Sequence, residues 1–234
     1  MLKLGIIGGI GPFASADLYS RILCKTLAKN DREHLHILID SSNVIPDRTA
    51  AILGYGPSPL PSLIESGKRL ESMGAQLLAL PCFSAHYYLN AMQKELDIPI
   101  VSMIDVTVAY LNKANISSVF LLQTEGFAQT GIFERALKSG GISVFLPDKE
   151  GMSLVMDLIY SGIKANNTAY DAKPFIDFCG SAMKSGADCF LLGCTELPIA
   201  FSRYKIDCPA VDTTSVYAEA LILKAGAHLK QSKV

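Results

Sequence analysis

Gly74-Ala75-Gln76-Leu77-Leu78-Ala79-Leu80-Pro81-Cys82-Phe83-Ser84 and Gly186-Ala187-Asp188-Cys189-Phe190-Leu191-Leu192-Gly193-Cys194-Thr195-Glu196 stand 112 positions apart and share one pattern. Each runs from a Gly-Ala turn through an apolar stretch to a small or Pro residue, then a cysteine with a hydroxyl residue close behind. An apolar run bounded by turn signals reads as a buried strand. Each cysteine, eight residues after the glycine in both copies, therefore falls where a strand ends. Two thiols at equivalent strand ends point to one site with a thiol on either side.

The rest of the chain repeats around these stretches. Residues 2–7 read as a strand closed by Gly8-Gly9-Ile10-Gly11-Pro12, with a helix over 14–27 and a second strand over 35–39. A helix over 63–73 leads into the first cysteine strand, another is expected over 84–96, and 97–101 is a fourth strand. The pattern restarts with a strand over 118–122, where Thr124-Glu125-Gly126 replaces the glycine turn. One helix over 127–139, a strand over 142–146 and helices over 152–164 and 173–184 follow. Asp207-Cys208-Pro209-Ala210-Val211 then echoes Asp97-Ile98-Pro99-Ile100-Val101 at an offset of 110, before a last helix over 215–229. Strands alternating with helices imply parallel sheets joined by right-handed crossovers. The fold class is α/β: two similar Rossmann-like or flavodoxin-like lobes, each a parallel sheet flanked by helices, related by a pseudo-two-fold axis. Residues 1–102 plus 212–234 make the first lobe, to which the last helix returns, and 103–211 the second. Ligands of open α/β sheets bind beyond the carboxyl ends of the strands, so the site is expected in the cleft between the lobes.

Bulk properties narrow the function. The chain has 234 residues, half of them hydrophobic, and a net charge of −1 without a dense basic run. This describes a compact protein with no reason to bind nucleic acid. Cysteines 24, 82, 179, 189, 194 and 208 show neither C-x-x-C nor zinc spacing, and the chain is too long and too regular for a disulfide scaffold. No metal is expected, and no stretch reaches the length of a membrane span. Lys3, an apolar segment and Ala14-Ser15-Ala16 loosely imitate a secretion signal, but Gly8, Gly9, Gly11 and Pro12 interrupt it. The expected location is cytoplasmic.

A thiol just ahead of a helix gains from the positive end of the helix dipole, a placement that Cys82 and Cys194 both fit. The other four cysteines read as packing. Arg48 and Lys164 are cations of opposite lobes suited to a carboxylate ligand. Two rival readings compete. Gly9-Ile10-Gly11-Pro12-Phe13-Ala14 with Asp40 outlines a dinucleotide fingerprint, and Cys82 with His86 outlines a thiolate–imidazolium couple. The first leaves the paired cysteines unexplained, and the second leaves Cys194 idle.

Gly8-Gly9-Ile10-Gly11-Pro12, Pro46-Asp47-Arg48-Thr49, Pro81-Cys82-Phe83-Ser84-Ala85-His86 and Gly193-Cys194-Thr195-Glu196-Leu197 together resemble the aspartate/glutamate racemase family, in register along essentially the whole chain. The resemblance implies a homodimeric, cofactor-independent racemase in which Cys82 and Cys194 flank the substrate Cα. It implies that Arg48 and Lys164 bind a side-chain carboxylate. Gly9, Ser84, Thr124, Gly126, Phe127, Thr130, Thr195 and Glu196 complete the expected substrate site. The substrate class is a small amino acid or dicarboxylate, aspartate before glutamate. The chain departs from the family pattern at Phe83-Ser84, where Asn-Thr is usual. It departs again over Thr124-Glu125-Gly126-Phe127-Ala128-Gln129-Thr130, where the usual pattern is Thr-x-Gly-Thr-x-x-Ser. An altered relative, decarboxylating or merely binding a carboxylate, is the alternative these departures raise.

Overall fold

The computed structural model describes residues 1–231; the last three positions of the segment 212–234 lie outside the described residues. Two four-stranded parallel sheets form. In the first the order is β2 (Ile37–Ser41), β1 (Leu4–Gly8), β3 (Leu77–Ala79), β4 (Ile100–Val101). In the second it is β6 (Ser143–Phe145), β5 (Ser118–Leu122), β7 (Cys189–Leu192), β8 (Ala210–Val211). The two cysteine strands, β3 and β7, hold the same place in the two sheets. β3 pairs with β1 and β4, and β7 with β5 and β8. Being covered on both faces, they are continuously apolar, as buried parallel strands must be.

Eleven α-helices flank the sheets among the described residues: α1 (Pro12–Lys25), α2 (Arg48–Ile52), α3 (Leu60–Ser72), α4 (Leu89–Gln93), α5 (Met103–Lys113), α6 (Glu125–Thr130), α7 (Ile132–Ser139), α8 (Lys149–Asp157), α9 (Lys173–Ala182), α10 (Glu196–Arg203) and α11 (Thr213–Lys224). The last helix packs on α1 and α5. It stops at Lys224 rather than 229, because Gly226 at φ +81° turns the chain. Beyond that turn Leu229 bridges to Thr26.

Besides the shorter last helix and the short helix α2, which has no counterpart in the sequence pattern, four elements differ from that pattern, each for a local reason. After Cys82 a 3₁₀ turn, Ser84–Tyr88, precedes α4 in place of one long helix. Here the His86 ring bonds the Cys82 carbonyl, and the His86 N–H reaches only to Phe83 O. The helix over 127–139 is two helices, α6 and α7, hinged at Gly131 in the left-handed region (φ +62°). The helix ending at Lys164 is α8 followed by a π-helical segment, Leu158–Lys164, closed by an i→i+5 bond from Ala165 N–H to Tyr160 O. Such widening accommodates one extra residue and re-aims those that follow. Finally, α5 was not anticipated, although Ser102 caps it by accepting from Asp105 N–H and its apolar residues keep helical spacing.

One core spans both lobes. Leu4, Ile6 and Ala79 of the first sheet join Val119, Leu121 and Leu191 of the second, with α11 residues Tyr217, Leu221 and Ile222 between them. Phe83 stacks on Phe133 with centroids 4.7 Å apart, and Phe127 lies 6.3 Å from Phe83. All three rings are fully buried. Phe83 is thus a bridge between lobes, and emptying its site should cost about 3–5 kcal/mol in transfer and cavity terms. Urea unfolding of Phe83→Ala is expected to show that loss; a change below about 1 kcal/mol would mean that the ring is not part of the shared core.

Candidate active site

Each side of the cleft is built from a strand end. β3 stops at Ala79, and the chain turns tightly so that Cys82 N–H donates back to Leu80 O at 2.8 Å. β7 stops at Leu192, and Gly193 N–H donates to Leu191 O at 2.9 Å just ahead of Cys194. Both cysteines are buried. The two turns touch: Thr195 Oγ1 donates to Pro81 O at 3.2 Å across the lobe boundary. A second crossing joins Ser84 Oγ and Thr124 Oγ1, 3.0 Å apart and sharing one hydrogen bond. Gly126 makes a third, because a side chain there would press on the Thr49 backbone of α2.

The surroundings of the two thiols differ in sign. Cys194 donates to Glu196 Oε2 at 3.1 Å, and the Thr195 hydroxyl oxygen, whose hydrogen goes to Pro81 O, stands 3.3 Å from that oxygen. Burial pushes the Cys194 thiol well above the usual cysteine range, and Glu196 raises it further against the opposing pull of Lys164. Cys194 therefore holds its proton. Cys82 lies beside the Arg48 guanidinium. Burial alone would lower the Arg48 pKa, but the Cys82 sulfur, Asp47 and Glu196 outweigh it and leave it above the usual arginine value. Arg48 opens α2 and donates from Nη2 to Ile10 O at 2.8 Å and from Nη1 to Pro46 O at 3.0 Å. Its buried Nε and the buried Glu196 Oε1 have no hydrogen-bond partner among the described residues.

Lys164 ends the π-helical segment with its ammonium 4.3 Å from the Tyr160 ring centre and 3.8 Å from Asp47 Oδ2. Burial pulls its pKa down; Glu196, Tyr160 and the Cys194 sulfur outweigh that and hold it above the usual lysine value. Asp47 caps α2 through Ala50 N–H and accepts from the Tyr160 hydroxyl at 3.2 Å. Burial would raise the Asp47 carboxyl, but these hydrogen bonds and the charges of Lys164 and Arg48 hold it below the usual range. Arg48, Lys164, Glu196, Asp47, Gly9 and Gly11 line one cavity of about 260 Å³. Asp47 and Tyr160 were not singled out from the sequence. The acidic residue before Arg48 was the available signal for the first, and nothing marks the second.

Not every expected residue reaches this cluster with its side chain. The Phe127 ring is buried in the aromatic core, so only its backbone faces onward. Thr130 spends its hydroxyl in the turn joining α6 to α7, donating to Phe127 O and accepting from Ile132 N–H. It belongs to the hinge rather than the cleft. Gly9 lines the cavity at φ +82°, where a side chain would run into Ser42, but its N–H is taken by Ser15 Oγ.

The rival readings lose their footing here. A side chain at Gly11 would collide with Glu196 Oε1, so a carboxylate faces the glycine turn where a pyrophosphate would have to lie. Asp40, the residue that would take a ribose, is bound by Arg69 at 2.7 Å. His86 cannot serve Cys82 as a base. Met103 N–H donates to its Nε2 at 2.8 Å, so Nδ1 carries the ring proton and donates to Cys82 O at 2.8 Å. Among the described residues no group of three or more His, Cys, Asp or Glu is placed to hold a metal ion. No helix there is long and apolar enough to cross a membrane.

The structure is thus an α/β protein of two lobes, each with a buried cysteine just past its third strand. The chain belongs to the Asp/Glu/hydantoin racemase family, whose model matches residues 7–221. The broad-specificity amino-acid racemase of Bacillus subtilis is 23% identical over 229 residues, covering 94% of this chain and 96% of that one. The Picrophilus torridus aspartate racemase structure superposes with a TM-score of 0.83 at 30% identity, over 98% of this chain and 96% of that one. An aspartate racemase homologue from Pyrococcus horikoshii shares the fold at a TM-score of 0.75 and 24% identity, over 96% of this chain and 99% of that one. Racemisation is the chemistry of the family.

His86 makes the site sensitive to acid. Burial lowers its pKa from 6.5 to about 4. A base depressed on folding leaves its stabilisation intact above pH 6.5, and it is lost as the pH falls towards 4. The loss over that window is about 3 kcal/mol. Denaturant titrations at pH 7 and pH 4 are expected to show a steeper fall for the wild type than for His86→Gln; parallel falls would exclude His86 as the titrating group.

Proposed function

We propose that this protein racemises an acidic amino acid, aspartate first, by moving one proton between Cys82 and Cys194 across the substrate Cα. The observation that carries the reading is the opposite environment of the two thiols. Racemisation needs a base on one face of the carbon and an acid on the other. Cys194, buried beside Glu196, keeps a proton to give. Cys82 lies on the other wall beside the Arg48 cation, placed to take the proton. In the reverse direction the roles exchange, and the shared proton titrates with the pair.

The size and charge of the cavity support a small dicarboxylate. Two cations, Arg48 and Lys164, from opposite lobes, line about 260 Å³. The unpartnered Glu196 Oε1 suits the substrate ammonium. The carbanion formed at Cα spreads into the α-carboxylate, for which the Ser84–Thr124 hydroxyl pair and the backbone N–H groups at Gly126 and Phe127 are the donors of this scheme. No cofactor enters this scheme. The lobes 1–102 plus 212–234 and 103–211 form the two walls, in a protein that works as a cytoplasmic homodimer.

Incubation with L-aspartate in D₂O tests the reading. Cα deuteration and D-aspartate are expected, and Cys82→Ser and Cys194→Ser should each lower turnover by about two to four orders of magnitude. Absence of both exchange and inversion across aspartate, glutamate and neutral amino acids would overturn it.

A further inference from the structure

α11 begins at Thr213, and its first two turns touch both cysteine strands. Thr213 Oγ1 donates to Leu192 O at 2.6 Å. One helical turn later, the Tyr217 hydroxyl accepts from Leu80 N–H at 2.9 Å and donates to Val101 O at 2.8 Å. Leu80 and Leu192 are equivalent residues, each standing two positions before a cysteine. Thr213 and Tyr217 are fully buried and, four residues apart, share one face of the helix. A single rigid element thus grips the same residue of both strand ends.

We propose that Thr213 and Tyr217 are positioning residues, and that this face of α11 sets the separation and aim of the two thiols. The inference rests on the two-cysteine reading above. Other bonds also reach these strand ends, Gly193 N–H to Leu122 O at 2.7 Å and Thr195 Oγ1 to Pro81 O at 3.2 Å, but α11 holds the equivalent residue of both from one helix. The β3–β4 ladder closes at Ala79 and Val101, and the β5–β7 ladder at Leu122 and Leu192. Beyond these points the chain turns tightly, Cys82 N–H closing on Leu80 O and Gly193 N–H closing on Leu191 O just ahead of Cys194, so a shift of Leu80 or Leu192 reaches its cysteine within two residues. The helix is itself fixed. Asp212 caps it through Ser215 N–H, and Arg21 of α1 donates to both Asp212 and Ser215 Oγ. The Tyr217 hydroxyl, held in its protonated form by burial, supplies one donor and one acceptor where two strands splay apart.

Thr213→Val and Tyr217→Phe remove one hydroxyl each and keep shape. With aspartate as substrate, each is expected to lose about tenfold to a hundredfold in kcat, with KM moving less than about twofold, since a small displacement of a reacting group costs rate rather than binding. The two hydroxyls hold different thiols, so the effect is directional. With Cα-deuterated substrate, the primary isotope effect should rise for one enantiomer in Thr213→Val and for the other in Tyr217→Phe. Thr213→Ser, which keeps the hydroxyl, should restore both kcat and isotope effect. Folded variants, judged by unchanged near-UV circular dichroism, that keep wild-type kcat overturn the proposal. Equal isotope effects in both directions overturn it too. Cys82→Ser and Cys194→Ser are measured alongside. If both turn over like the wild type, the two-thiol reading falls and this inference with it; if both are inactive while the α11 variants match the wild type, only this inference falls. Should Tyr217→Phe not fold, the two Thr213 variants decide the matter.

Discussion

A parallel strand that stops short leaves N–H and C=O groups with no ladder partner, and in a buried place each such group must be satisfied or cost stability. The cleft is arranged around that constraint. β3 and β7 end head to head in the interior, and the unpaired backbone groups beyond them are taken by side chains from elsewhere. Tyr217 takes Leu80 N–H, Thr195 the Pro81 carbonyl, His86 the Cys82 carbonyl and Thr213 the Leu192 carbonyl. These four residues come from three separate parts of the chain, so the position of either thiol is a property of the whole fold.

The same economy of partners explains the polarity of the site. Arg48 is buried, and two backbone carbonyls occupy part of its guanidinium. Glu196 is buried as well, with one oxygen accepting from the Cys194 thiol. What remains unpaired on each, Arg48 Nε and Glu196 Oε1, gives the cavity one donor and one acceptor of opposite character. Lys164 adds a second cation, held in place by Asp47 and the Tyr160 ring. A neutral apolar ligand would leave these groups unsatisfied.

Much of this was legible in the sequence because the repeated element is a buried parallel strand. Such a strand must be continuously apolar, and turns must bound it, so two copies with cysteines in register stand out. The glycine turn was equally visible, since Gly9 occupies a conformation that other residues avoid. What escaped is set by tertiary contact. The π-helical segment before Lys164 has no sequence mark. Phe83 and Phe127, which replace polar residues of the family pattern, looked like changes to the ligand shell, yet their rings lie in the shared core. Thr130 kept a plausible spacing but is used by the hinge at Gly131. By contrast, α5 carries a Ser102 cap and apolar residues at helical spacing that mark it in the sequence. Thr213 and Tyr217 sit in an unremarkable apolar helix, and only the fold reveals that one face of it meets both cysteine strands.

The aromatic floor changes how the departures from the family pattern bear on chemistry. Phe83, Phe127 and Phe133 fill the space beneath the Ser84–Thr124 crossing and join the two lobes. An apolar floor strengthens every charge interaction above it, because it keeps the local dielectric low. Under the proposed reaction, the absence of the amide and hydroxyl of the family pattern leaves the α-carboxylate to the hydroxyls that remain. The cleft therefore trades donors for a drier, stiffer site. The trade helps only if the thiols are already well placed, because a dry site with few donors has little capacity to correct a misaligned substrate. A fold that fastens both strand ends to one helix supplies the alignment on which such a site depends.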